Sequence, residues 1–381
     1  MKTFGRRTTL GSLAALGALS PAVPKVAAQG AEGGDPTPWA SPGPYLGPAG
    51  FQGFEVVRAE SFGARQRVAA TYFFYWYDSV FSRATRGTTA NYRFNPTNHE
   101  TMTFRDPAWY VKEFTDMQDA GLDVALPVYW GEPGQWNRRV APAPALNLFA
   151  TEGLAPMVEA LETLRAAGRP FKIGLFFDTT ILEGVDLTTD QGKAIFYVTI
   201  RDFYSKIPPH HWAAIGGRPL VWLYDAIRIG PFDQSVFDNS YARFPEDFGG
   251  LMPYIVREHQ WLHARVPPPQ PTTRTEGLYL WGAAVSGFNE DPLFTVAQVG
   301  PGFCNTQFSG GGANRFCIDR EDGALYRRQL ERALRHRHQI LAVETWNELG
   351  ETSGILETLE HGRLYLDITR EYVDRWKAIR I

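Results

Sequence analysis

Eight short apolar runs, spaced along residues 68–345, constrain this chain more than any other feature. They cover residues 68–76, 123–130, 171–177, 219–224, 254–257, 278–282, 296–299 and 339–345. Each is too short to cross a bilayer as a helix and reads as a strand buried on both faces. Helical stretches separate most of them. Asp106-Pro107 supplies an N-cap and a first-turn proline. Val111, Phe114, Met117 and Ala120 then recur at helical spacing, and Gly121 stops the helix. Similar patterns predict helices over 153–167, 189–205, 320–336 and 361–376, with a weaker one over 235–248. The connections after the fifth and sixth strands are too short for full helices. Strand and helix in alternation, eight times, predict a single (β/α)8 barrel over residues 67–381. An open doubly wound sheet is the alternative, but no glycine-rich phosphate turn follows the first strand.

A barrel of this kind carries its site at the C-terminal ends of the strands. Here those ends read Tyr75-Trp76-Tyr77-Asp78, Tyr129-Trp130-Gly131-Glu132, Phe177-Asp178, Tyr224-Asp225, Arg257-Glu258, Tyr279-Leu280-Trp281 and Glu344-Thr345-Trp346-Asn347-Glu348. Six of the eight ends bring an acid, most with an aromatic beside it. The expectation is a cup of carboxyl groups and ring faces, suited to a polyhydroxylated ligand. Aromatics make up 14% of the chain, with eleven Trp. Most must be core, but Trp130, Trp281 and Trp346 are expected to offer stacking faces. Asp178 and Asp225 are candidates to bind sugar hydroxyls. Glu258 has the alternative of a plain ion pair with Arg257.

The last strand end concentrates the chemistry. Glu344, Glu348 and Glu351 fall within eight residues, and buried charge is costly unless it is paired. Glycoside hydrolysis needs two carboxyl groups, one protonated and one ionised. Glu348 and Glu351, three apart, share one side of a turn-like loop. A solvated loop or helix N-terminus explains such a pair equally well when it stands alone. Its place after the eighth strand favours catalysis. Glu344 shares strand parity with Glu348; it faces the barrel axis or pairs with Arg257 or another cation.

Several of these strings resemble a known group. Asn347-Glu348-Leu349-Gly350-Glu351 resembles the Asn-Glu-Trp-His-Glu segment of glycoside hydrolase family 99, the endo-α-mannosidases. Thr71-Tyr72-Phe73-Phe74-Tyr75-Trp76-Tyr77 is similar to that group's aromatic first strand. Over residues 67–377 the chain resembles a bacterial family of exported proteins with a glycosidase-like domain of unassigned function. The shared strings there are Asp-Val-x-Leu-Pro-Val-Tyr-Trp-Gly, at 123–131, and Glu-Thr-Trp-Asn-Glu, at 344–348. The resemblance implies Glu348 as a base towards the sugar's 2-hydroxyl and Glu351 as general acid. This chain departs with Leu349 and Gly350 where family 99 has Trp and His, and with Thr352 where Gly is usual. Sugar and linkage stay open.

The remaining signals concern location. Arg6-Arg7 before a weakly apolar stretch, with small residues at Val26-Ala27-Ala28, reads as a twin-arginine-like export signal over 1–28. An ordinary Sec signal is the alternative. Gly- and Pro-rich residues 29–66 read as linker and entry segment. The net charge is −3, and the four cations of 1–28 leave −7 on the rest. That excludes the basic face of a nucleic-acid binder. In an oxidising periplasm or exterior, Cys304 and Cys317 are expected to pair across the Gly310-Gly311-Gly312 loop; two buried thiols are the alternative. No His-Glu-x-x-His or Gly-x-Ser-x-Gly is present, and His210-His211 and His336-x-His338 read as surface residues. The expectation is an exported, monomeric glycoside hydrolase acting on a carbohydrate without cofactor, metal or membrane span. A sugar-binding barrel without catalysis, or another secreted hydrolase using the same cup, is the second reading.

Overall fold

The computed structural model of the protein describes residues 55–80, 93–131, 148–267, 270–307 and 314–379. The expected signal, Glu132 and the three-glycine run lie outside the described residues. The eight apolar runs form eight parallel strands: β1 (Val68–Phe73), β2 (Val124–Tyr129), β3 (Lys172–Ile173 and Leu175–Asp178), β4 (Arg218–Tyr224), β5 (Tyr254–Glu258), β6 (Gly277–Tyr279), β7 (Val296–Val299) and β8 (Ile340–Val343). Their spatial order is β6-β5-β4-β3-β2-β1-β8-β7. One residue draws the β6–β7 seam together. The Thr295 amide donates to the Leu278 carbonyl at 2.9 Å, and the Leu278 amide donates to Thr295 Oγ1 at 2.9 Å. The chain is a (β/α)8 barrel.

Helices α1 (Glu55–Ala59), α2 (Pro107–Asp119), α3 (Leu148–Glu152), α4 (Leu154–Ala166), α5 (Asp190–Ser205), α6 (Ser235–Asp247), α7 (Ala283–Ser286), α8 (Ala324–Ala333) and α9 (Leu364–Ala378) surround it. Asp106 caps α2 through the Ala108 amide at 2.9 Å, with Pro107 in the first turn. Thr189 caps α5 through the Gly192 amide at 3.0 Å. No full helix follows β5, and only the short α7 follows β6. The helix expected from residue 320 starts instead at Ala324. Arg320 is buried and donates to the carbonyls of Thr352 and Gly354. Part of the segment read as linker belongs to the barrel unit. Val57 is buried, and the Phe62 amide donates to the Ala214 carbonyl at 2.9 Å.

The aromatic excess is largely core. Tyr72, Phe176, Trp222 and Tyr279 fill the barrel axis, with centroids 4.8 Å apart for Tyr72–Phe176 and 5.2 Å for Trp222–Tyr279. Neighbouring residues face outward: Phe73 meets Phe114 of α2 at 5.7 Å, and Phe177 meets Phe196 of α5 at 5.3 Å. Gly174, between the two segments of β3, is crowded: a Cβ there would stand 3.1 Å from both Leu126 Cδ2 and Leu220 Cβ.

Phe177 is fully buried between β3 and α5, so Phe177→Ala is expected to cost about 3–5 kcal/mol. Guanidinium unfolding at unchanged m value measures this; a loss under about 1 kcal/mol would contradict the packing.

Candidate active site

The chain leaves β8 through a tight loop from Thr345 to Leu356. The Thr345 amide donates to the Ser353 carbonyl at 3.0 Å, and the Ile355 amide to the Trp346 carbonyl at 2.9 Å. Asn347 ties this loop to the first strand. The Phe74 amide donates to Asn347 Oδ1 and Asn347 Nδ2 donates to the Phe74 carbonyl, each at 2.8 Å. That clamp ends β1 at Phe73, short of the expected Trp76, because the Phe74 main chain is taken by a side chain. Tyr77 Oη donates to the Asn347 carbonyl at 2.8 Å and accepts from the Leu349 amide at 3.1 Å. Trp346 is fully buried, and its Nε1 donates to Glu113 Oε2 at 2.6 Å. Glu113 also accepts from Trp109 Nε1 and Asn98 Nδ2, each at 2.9 Å.

The outer side of the loop is braced by a two-stranded ribbon, Phe303–Cys304 against Cys317–Ile318. Cys304 and Cys317 form the expected disulfide. The Cys304 amide donates to the Glu351 carbonyl at 2.8 Å, and Thr352 Oγ1 donates to the Cys304 carbonyl at 3.1 Å. The main chain beneath Glu351 is therefore held from below by Arg320 and from outside by the disulfide ribbon.

Three of the other strand-end acids are anchored in the same way. Asp178 Oδ1 accepts from the Thr180 amide at 3.1 Å, Asp225 Oδ1 from the Ile227 amide at 2.6 Å, and Glu258 Oε2 from the Gln260 amide at 2.7 Å. Each carboxyl thus takes an amide two residues on, as turn-forming acids do. Asp178 Oδ2 also accepts from Trp130 Nε1 at 2.7 Å. Glu344 points into the barrel from the end of β8. Gly282 and Ala283 amides at the start of α7 donate to its Oε2 at 2.9 Å each, and Gln298 Nε2 does so at 3.0 Å. Tyr72 Oη donates to Gln298 Oε1 at 2.9 Å. Among the described residues no cation pairs with Glu344. Arg257 turns outward to Thr275 Oγ1 at 2.6 Å and the Thr273 carbonyl at 2.8 Å, so it serves neither Glu344 nor Glu258.

Burial sets the protonation. It pushes Glu258 up to about 8, with the charge of Asp225 adding to the effect. It raises Glu344 to about 6, against the pull of its amide donors. Asp225 is raised by burial and then by Asp178. Glu351 is raised well above the carboxylate range, first by burial, then by the charges of Glu348 and Glu344. Tyr224 Oη is buried without a hydrogen-bond partner. Its proton is retained by burial and then by the charges of Asp225, Asp178, Glu351 and Glu258. Trp281 lies half-buried over Tyr72 and Tyr224, at 4.9 and 4.8 Å. Trp76 and Trp130 face each other at 6.0 Å.

The cup therefore contains Trp76, Trp130, Asp178, Tyr224, Asp225, Glu258, Trp281, Glu344, Glu348 and Glu351. Six expected site residues do not face it. Tyr75 turns outward, its Oη donating to the Ala150 carbonyl at 3.2 Å, and Tyr129 turns outward to Asp202 on α5. Asp78 is consumed by Arg105. Tyr77, Trp346 and Asn347 build the loop, and buried Trp346 offers no stacking face. The sequence reading missed Gln298, whose signal was a polar residue inside an apolar strand, and Tyr72, Arg320 and Glu113. Among the described residues, the one cluster with metal-ligand character, Glu162, His210 and His211, lies outside the cup.

The C-terminal mouth of this (β/α)8 barrel thus gathers buried carboxyls among aromatic side chains. The chain itself belongs to the family described as a domain of unknown function (DUF5010), whose sequence model matches residues 64–381. No curated protein matches it significantly. Among solved structures it is similar to the GH99 endo-alpha-mannosidase of Bacteroides thetaiotaomicron in complex with Bis-Tris-propane. Identity is 17% and the TM-score 0.59, over 81% of this chain and 97% of that one. It is also similar to a glycoside hydrolase-like protein, at 14% identity and TM-score 0.60, over 81% and 94% of the two chains.

Two predictions follow from the anchoring and the protonation. Reducing the Cys304–Cys317 bridge, which spans 13 residues, is expected to cost about 3 kcal/mol. Amide hydrogen exchange should quicken at 348–354 ahead of the barrel strands; uniform exchange would contradict the brace. Folding raises Glu258 from 4.5 to about 8, so between those values the native state keeps a proton that the unfolded chain has lost. Stability should fall as pH rises through that window and level off above it, by on the order of 5 kcal/mol for this group alone. Glu258→Gln should flatten the slope in denaturant melts at successive pH values; an unchanged slope would refute the assignment.

Proposed function

We propose that the protein is a glycoside hydrolase that cleaves a glycan or polysaccharide by carboxylate acid/base catalysis. The observation that carries this reading is Glu351, a carboxyl that burial and the charges of Glu348 and Glu344 keep protonated at the mouth of an aromatic-lined cup. Glu351 donates its proton to the leaving glycosidic oxygen, the role that requires a raised carboxyl. Glu348, three residues earlier in the same loop, is the base or nucleophile. Its amide donates to Thr345 Oγ1 at 2.9 Å, and its carbonyl accepts from the Ser353 amide at 3.2 Å. Both bonds fix where its side chain starts. Half-buried Trp281 presents an apolar face for a sugar ring. Asp178, Asp225 and Glu258 offer oxygens to hydroxyl groups, and Tyr224 Oη offers a polar group with no partner in the protein. Residence outside the cytoplasm fits the same reading. The disulfide supports it, and no helix among the described residues is long and apolar enough to cross a membrane.

Hydrolysis of a panel of α- and β-linked oligosaccharides tests the proposal. Glu348→Gln and Glu351→Gln are each expected to lower kcat by on the order of 10³-fold while glycan binding persists. Wild-type activity should fall on the alkaline side at a pH above the ordinary carboxylate range, since Glu351 must keep its proton. Full activity in both variants would refute the site. Glycan binding with no product under any condition would make the protein a binding barrel.

A further inference from the structure

The face of the barrel away from the cup holds a second cluster with coordinating chemistry. His210 and His211 sit in one 3-10 turn, Pro209–His211, just before the chain enters β4. Glu162 projects from the last part of α4. Glu162 Oε1 lies 2.7 Å from His210 Nε2 and 3.0 Å from His211 Nε2. The two imidazole rings are 4.2 Å apart. The turn is held from outside the cluster: Lys172 Nζ donates to the His210 carbonyl at 2.7 Å, and the His211 amide donates to the Pro208 carbonyl at 2.9 Å.

His211 is the telling member. Its side chain is fully buried, yet among the described residues neither ring nitrogen has a hydrogen-bond partner. Its Nε2 is near Glu162 Oε1 but out of line for a hydrogen bond. A buried imidazole without partners is costly, and nothing in the barrel's architecture demands a histidine there. We propose that Glu162, His210 and His211 bind a divalent transition-metal ion of the Zn(II) type, which staples α4 to the turn preceding β4.

The donor set suits that class of ion: two imidazoles and a carboxylate. In a tetrahedral zinc site with bonds of about 2.0–2.1 Å, ligand atoms stand roughly 3.3 Å apart. The present 2.7 and 3.0 Å therefore require Glu162 to withdraw by a few tenths of an ångström. It can do so, because its side chain is 45% exposed. The nearby cations do not oppose the ion strongly. Arg165 and Lys172 are both engaged by Glu60, at 2.9 and 2.7 Å. The site is independent of the glycosidase reading, and its role is structural.

The test uses the full chain without a polyhistidine tag, stripped with EDTA and titrated with ZnCl₂. Calorimetry should show one saturable site per chain. Zn(II) at about 100 Kd should raise the unfolding midpoint by roughly 5 °C. Glu162→Gln and His210→Ala, both at half-buried or exposed positions, should fold normally by circular dichroism. Each should lose at least tenfold in affinity and the thermal shift with it. Co(II) substitution should give the intense visible bands of a tetrahedral site in wild type and not in Glu162→Gln. Absence of saturable binding, or equal Zn(II) affinity in wild type and Glu162→Gln, overturns the proposal and leaves a hydrogen-bonded cluster alone.

Discussion

The two hydrogen bonds between the Asn347 amide and the Phe74 main chain decide how this barrel opens. Below them, β1 and β8 pair through their backbones from Val68–Ile340 to Thr71–Val343. Above them the last strand must stop, because a continued ladder would leave no loop to carry Glu348 and Glu351. A primary amide presents one donor and one acceptor, the same pair that a strand residue offers its neighbour. Asn347 therefore replaces the missing rung, leaving the Phe74 main chain satisfied while the chain turns away. Loss of the clamp would leave a buried amide and carbonyl unpaired, at about 1–3 kcal/mol each. It would also free the segment that positions both acids.

Around that clamp, the barrel holds its carboxyl groups by two separate means. Glu113 lies outside the strands, where burial raises its pKa and three donors, from Trp346, Trp109 and Asn98, pull against that shift. Glu351 lies inside the cup with other acids as neighbours, and keeps its proton. Identical side chains thus accept from three donors in one place and hold a proton among other acids in the other. The difference comes from what surrounds them. Donors favour the carboxylate; buried acids disfavour it.

The strand-helix alternation was legible because each element carries its own signal. Asp106-Pro107, Thr189 and the apolar periods mark the elements, although β1 and β8 stop short of their apolar runs, at Phe73 and Val343. Orientation was not legible. Strands covered by helices on one side and by the barrel core on the other are apolar on both faces. Period-two alternation then has no polar face to identify it. Tyr75 and Trp76, or Tyr129 and Trp130, are adjacent aromatics of equal standing in the sequence, yet one of each pair faces the helices. The acids misled for a related reason. Asp178, Asp225 and Glu258 cap the turns that leave their strands, so an acid at a strand end has a structural use whether or not it also meets a ligand. Trp346 and Asn347 looked like binding residues because they flank Glu348. They flank it because they hold it.

The same logic bears on the residues between the two acids. Leu349 is buried, and its amide donates to Tyr77 Oη at 3.1 Å. It fills core beneath the loop. Gly350 has no side chain to offer a ligand. The spacing of Glu348 and Glu351 is maintained by main-chain bonds, Ser353 amide to Glu348 carbonyl and Cys304 amide to Glu351 carbonyl, at 3.2 and 2.8 Å. None of those bonds depends on the identity of residues 349 and 350. A loop built in this way keeps its acid pair while its recognition side chains change. The opposite wall, with Trp281, Tyr224 and the acids of β3, β4 and β5, has its own anchors, independent of that loop. On the proposed glycosidase reading, selectivity for a sugar would be decided there, across the cup from the two loop acids.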